Sequence, residues 1–177
     1  MKSLKIFIVL ATIAIFSSSC QRWIPYSASV QEKYHLSEND LKGIQFYLSQ
    51  QIVLYKASAD GIASENAGQL VVHSDSQLDR IILKKGTQGV YVDGSSFQMA
   101  VSFEVGEGKY LVFGSESLEG PFKLQAKLWE NNHGTLEYGG EEYIAEPGAG
   151  NAHLMIQMRR LRHIHHTSRV VTGRQVN

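Results

Sequence analysis

The chain lacks a second cysteine. Cys20 is the only one among 177 residues, so there is no pair for a disulfide and no cluster for a Cys-based zinc site. It lacks a charge excess: 17 basic residues balance 17 acidic ones, and bulk nucleic-acid binding needs a strong basic field. It lacks an apolar run of the ~20 residues that a membrane-spanning helix requires. It also lacks the G-x-S-x-G, H-E-x-x-H, Walker and EF-hand signatures, and it has no long internal repeat. Gly106-Glu107-Gly108 joins two strand-like segments, with no helix start to receive a phosphate, so it reads as a hairpin turn. These absences point away from an enzyme and from any cofactor or bound metal.

What the first twenty residues contain is an address. Lys2 and Lys5 are their only charges, Ile6 to Phe16 is apolar apart from Thr12, and Ser17, Ser18 and Ser19 lead to Cys20. A basic start, a short apolar core and small residues at the cut describe a secretory signal peptide over residues 1–19. The stretch IFSSSC resembles a bacterial lipobox, of the looser kind found in small Bacteroidota envelope lipoproteins. That resemblance implies that Cys20 becomes the first mature residue. Its sulfur would carry a diacylglyceryl group and its amino terminus an acyl chain such as palmitate. Lipidation would also remove the chain's one thiol nucleophile. Two or more acyl chains anchor stably where one holds only marginally. In enterobacterial lipoproteins an aspartate after the cysteine retains the protein in the inner membrane; Gln21 stands there instead, which favours the outer membrane. The implied location is the cell envelope, with the body of the protein in an aqueous space such as the periplasm.

Lys2 and Lys5 leave with the leader, so the mature chain sets 15 basic residues against 17 acidic ones. Residues 20–33 read as a lipid-anchored tether. Trp23 and Tyr26 favour a membrane–water interface, where they can rest on headgroups; packing on the domain's own edge is the equal alternative. Residues 34–177 then form a single mostly β domain. Its helix signal is LSENDLKGIQFYLSQ, residues 36–50. There Ser37 and Asp40 can form a capping box, and Leu41, Ile44 and Leu48 share a face.

From residue 51 onward, short β-branched and aromatic runs alternate with Gly and Asn turns: Lys85-Gly86, Asp93-Gly94, Asn131-Asn132 and Gly139-Gly140. Consecutive hairpins follow from that punctuation. In FKLQAKLW, Phe122, Leu124, Ala126 and Leu128 alternate with Lys123, Gln125 and Lys127, which is a strand with one wet face. The expected fold is mainly β, an antiparallel sandwich or small barrel with one short N-terminal helix.

Residues 147–177 hold five arginines and four histidines and no acid. On an extended strand His163 and His165 share a face roughly 7 Å apart, and Arg160 and Arg162 project together. The histidines alone make a weak metal pair, since no carboxylate or cysteine lies nearby in sequence. The arginines suit phosphate or carboxylate groups of anionic envelope components. The simpler reading is a charged edge strand, lying beside the acidic stretch that runs from Glu116 to Glu146. Glu137 and Glu142 flank the Gly139-Gly140 turn and resemble a catalytic carboxylate pair only in kind. Trp129, at a strand end beside Asn131-Asn132-His133, is the aromatic best placed to anchor a ligand.

The reading that combines these features is a non-catalytic β domain held at a membrane by its lipid, engaged in protein–protein contact or in stabilising an envelope complex. The alternative is an anion-, lipid- or sugar-binding module that uses the Arg/His-rich strand and Trp129.

Overall fold

The computed structural model describes residues 23–56, 65–66, 69–70, 80–159 and 161. Among these the chain is mainly β. Two antiparallel sheets pack face to face as a sandwich with few helices and no closed barrel.

The first departure from expectation lies at the start. Trp23–Pro25 is a strand, β1, and Ser27 caps a short helix, α1 (Ala28–Lys33). Residues 23–33 were expected in the tether, but they belong to the domain. Tyr26 is fully buried between the rings of Phe46 and Phe122, with centroids 5.1 and 5.2 Å away. Aromatic residues in a short polar stretch had a larger burial partner than any headgroup layer.

The second departure is the helix expected over residues 36–50. The capping box forms: Asp40 N–H donates to Ser37 Oγ and Ser37 N–H donates to Asp40 Oδ2. The helix it starts, α2 (Glu38–Lys42), ends at Gly43. The chain then continues as β2 (Gln45–Leu48) and β3 (Ile52–Lys56). Glycine weakens a helix interior by about 1 kcal/mol, and the β-formers Phe46 and Tyr47 follow at once. Leu41, Ile44 and Leu48 are all buried as expected, so the face was correct and the element was not. Two short helices replace the single one expected.

A small hairpin, β4 (Glu65–Asn66) with β5 (Gln69–Leu70), precedes β6 (Arg80–Leu83). Gly86, at φ 80°, turns the chain out of β6. The next strand, β7 (Gln88–Gly94), lies in the other sheet. Lys85-Gly86 is therefore a sheet-to-sheet crossing rather than a hairpin. Asp93-Gly94 sits inside β7, beyond a bulge between Tyr91 and Asp93, and the turn to β8 (Gln98–Ser102) falls at residues 95–97. The Gly106-Glu107-Gly108 turn leads to β9 (Tyr110–Gly114) as expected.

FKLQAKLW is not one strand. β10 (Lys123–Leu124) pairs with β9, and β11 (Leu128–Glu130) pairs with β12 (His133–Tyr138) in the other sheet. Phe122 and Leu124 face the core while Leu128 lies exposed on an outer face. Asn131-Asn132 (φ 47° and 69°) and Gly139-Gly140 (φ 64° and 80°) make two-residue turns. Positive φ at both centres matches the right-handed strand twist. The second turn leads to β13 (Glu141–Ala145), a strand that its leading glutamates conceal in the sequence. After a 3-10 turn (Ala149–Asn151) comes the last described strand, β14 (Leu154–Gln157).

The first sheet has the order β1-β14-β2-β7-β8-β9-β10, and the second β11-β12-β13-β3-β6. Two bridges, Lys123 to His153 and Ser27 to Pro121, curl the edge strand β10 back toward the start of β14 and the end of β1. Leu48, Leu54, Met99, Leu111, Phe113, Leu154 and Ile156 fill the space between the layers. The last strand was expected to run on into the basic tail beside the acidic hairpin. β14 instead ends at Gln157, Met158 and Arg159 are helical, and its neighbours are β1 and β2.

Candidate functional site

A shallow groove forms where the chain changes sheets. Gln125 N–H donates to Val112 O at 2.8 Å, and two residues later Lys127 N–H donates to Thr135 O at 2.8 Å. Residues 125–127 thus bridge β9 in one sheet and β12 in the other. Beside this bridge opens a groove of about 320 Å³, lined by Gln98, Tyr110, Gln125, Lys127, Leu136 and Glu137 among others. Lys127 Nζ lies 3.0 Å from Glu137 Oε2, and that hydrogen bond raises the Lys127 ammonium. Two amides, a phenol and one ion pair supply hydrogen bonds to hydroxyl- or amide-bearing groups. The lining holds no His, Cys or Ser.

Trp129 does not line this groove. Its ring lies across two backbones: a Cβ built on Gly134 would stand 2.7 Å from the ring, and one on Gly150 would stand 3.0 Å away. Gly134 is its cross-strand partner. The tryptophan covers these two glycines and leaves 37% of its surface exposed.

Glu137 and Glu142 are direct cross-strand partners on the outer face of the second sheet. Glu137 is engaged by Lys127, and Glu142 stands apart from the groove lining. One Ser–His contact exists among the described residues: Ser49 Oγ is 3.1 Å from His153 Nδ1 and accepts from the His153 backbone N–H at 2.9 Å. The second polar contact of that Nδ1 is the carbonyl of Asn151. Among the described residues no carboxylate bonds to the ring, and the pair extends the bonding between the ends of β2 and β14.

A polar cluster pins the tips of the two sheets together. Tyr138 Oη donates to Glu104 Oε1 at 2.9 Å, and Lys109 Nζ lies 3.0 Å from the same oxygen. Lys109 first, and Tyr138 second, hold the Glu104 carboxyl below its ordinary range, while burial and this bond push the Tyr138 hydroxyl up. A depressed folded-state pKa stabilises above the ordinary value of 4.5 and loses its effect as the pH falls through the lowered value. Wild type and Glu104→Gln should therefore differ in urea midpoint near neutrality and converge in acid. The pair is about half exposed, so the gap is small. Equal midpoints at both pH values would show that the cluster contributes nothing.

The two outer faces differ in character. Across the second sheet runs one unbroken row, Leu128–Thr135–Ile144–Tyr55–Arg80, with Val53 and Ile82 one step along. Leu128 is 53% exposed and Ile82 42%. Glu130, Glu137 and Glu142 flank this apolar row.

No family model, characterised protein or solved structure matches the chain significantly. No helix among the described residues is long and apolar enough to cross a membrane, and no cluster of three metal-ligating side chains occurs among them. Cys20, Arg160, Arg162, His163 and His165 lie outside the described residues. Of the expected site residues only Trp129 is described. Sequence reasoning missed the groove and the apolar row, because both depend on which strands become neighbours.

Proposed function

We propose that this chain is a lipid-anchored, non-catalytic envelope lipoprotein whose β-sandwich holds a partner protein at the membrane surface. The observation that carries the reading is the apolar row on the outer face of the second sheet. A sheet face with Leu128, Ile144, Tyr55 and Ile82 accessible, flanked by Glu130, Glu137 and Glu142 and ending at Arg80, suits a partner surface that is apolar at its centre and charged at its rim. The lipobox-like IFSSSC and the short, turn-rich loops support the same reading.

Two measurements test it. The mature N-terminal peptide should carry acyl mass on Cys20, and Cys20→Ser should move the protein from the membrane fraction to the soluble one. A photo-crosslinking side chain placed at Leu128 in cells should give one adduct of discrete mass, which Ile82→Asp abolishes without lowering the amount of folded protein. Acylation without such an adduct would leave an anchored domain whose second sheet binds nothing.

A further inference from the structure

The domain begins much closer to the proposed anchor than a tether of residues 20–33 would allow, and that distance decides which face meets the bilayer. Only Gln21 and Arg22 separate Cys20 from the first residue of β1. A fully extended chain covers at most about 3.6 Å per residue, so the Trp23 backbone lies within about 11 Å of the Cys20 backbone. If Cys20 carries acyl chains, β1 is held at headgroup level.

Strand pairing fixes what surrounds Trp23. Opposed residues share a face: Trp23 opposes Gln157, and on the same outer face of the first sheet one row reads Gln45, Val90, Ser102 and Tyr110. The parallel row holds Pro25, Met155, Tyr47 and Gln88. Neither row contains Asp, Glu, Lys or Arg, whereas the opposite outer face of the sandwich carries Glu130, Glu137 and Glu142. Trp23 is 40% exposed, with its ring edge-on to Tyr47 at 4.4 Å, and Val90 is 50% exposed.

We infer that the outer face of the first sheet, led by Trp23, rests on the headgroup layer of the bilayer that holds Cys20. This rests on the reading of Cys20 as lipid-bearing and adds an orientation to it. Tryptophan and tyrosine favour the interface, where their rings are half in apolar surroundings. Asp93 and Lys123 enter this outer face only in rows farther along, opposite Ala100 and Gly114, so the patch around Trp23 itself brings no ion that must be desolvated on approach. The apolar row from Leu128 to Ile82 belongs to the other sheet, so contact through the Trp23 patch leaves that row for a partner.

The test uses the full-length acylated protein reconstituted in phosphatidylethanolamine–phosphatidylglycerol vesicles containing a lipid brominated near the headgroup. The chain has two tryptophans, so Trp129→Phe leaves Trp23 as the only emitter and Trp23→Phe leaves Trp129. Emission from Trp23 should be strongly quenched and that from Trp129 much less. Adding Val90→Asp to the Trp129→Phe protein should relieve the quenching of Trp23 while Cys20 stays acylated. Unquenched Trp23 on a protein whose Cys20 peptide carries acyl mass overturns the orientation and spares the anchor. Quenching of Trp23 only at high lipid-to-protein ratio, with cross-linked dimers at low ratio, assigns the face to a second copy and also overturns it. An unmodified Cys20 removes the anchor itself.

Discussion

A Tyr26→Ala protein is expected to lose about 3–5 kcal/mol of stability, the range for truncating a fully buried aromatic side chain. Small domains hold about 5–15 kcal/mol in total, so one ring carries a large share of the margin. The reason is position. Tyr26 follows β1, has no exposed surface, and touches Phe46 of β2 and Phe122 ahead of β10. Its backbone also joins strands: Tyr26 N–H donates to Leu154 O, and Phe122 N–H donates to Tyr26 O, at 2.8 and 2.9 Å. Removing the ring opens a cavity where three segments of the first sheet meet. Tyr26→Phe keeps the packing and loses only the hydroxyl, which donates to Gln31 Oε1 at 3.2 Å and which burial keeps protonated; its cost should be about 1 kcal/mol. A chain beginning at residue 34 lacks β1, α1 and Tyr26 together and should not fold. Chemical denaturation of the three proteins decides the matter. A chain from residue 34 with wild-type cooperativity and midpoint would restore residues 23–33 to the tether.

The misreading of that segment shows which parts of this fold are local. Asn131-Asn132 and Gly139-Gly140 could be read as tight turns because the φ values they adopt are properties of those residues. The capping box of Ser37 and Asp40 is local in the same way. Leu41, Ile44 and Leu48 announce burial under either a helical or an extended spacing, so the core was legible where the element was not. Lys85-Gly86 marks a change of direction equally well for a hairpin and for a crossing between sheets; turn chemistry does not say which sheet the next strand joins. FKLQAKLW carries perfect alternation, yet the chain leaves β9 at Gln125 and reaches β12 at Lys127. Only the positions of those two strands could divide it. The groove beside residues 125–127 and the row from Leu128 to Arg80 inherit that dependence. They are assembled from five or more segments, and no window of sequence contains them.

Trp129 separates a ligand anchor from a structural plug, and the two readings predict opposite results. A tryptophan placed on a strand end to grip a ligand would leave stability nearly unchanged when truncated. This one covers glycine backbone in β12 and in the 3-10 turn, the arrangement in which an aromatic ring shields a strand glycine from water. Trp129→Ala is therefore expected to cost about 2–3 kcal/mol, less than a fully buried aromatic because over a third of the ring is exposed. Gly134→Val attacks the same contact from the other side. Its new Cβ would lie 2.7 Å from Trp129 Cζ3 and 3.0 Å from Ala126 Cβ, with Gly150 behind the ring limiting retreat. Overpacking of this kind costs about 1–3 kcal/mol. Since both changes act on one contact, the double variant should be more stable than the sum of the singles implies, by about 1 kcal/mol or more. Thermal or urea unfolding of the four proteins measures that coupling. Strict additivity, or a Trp129→Ala protein as stable as wild type, would show that the ring merely lies over the glycines and would return Trp129 to the surface as a binding residue.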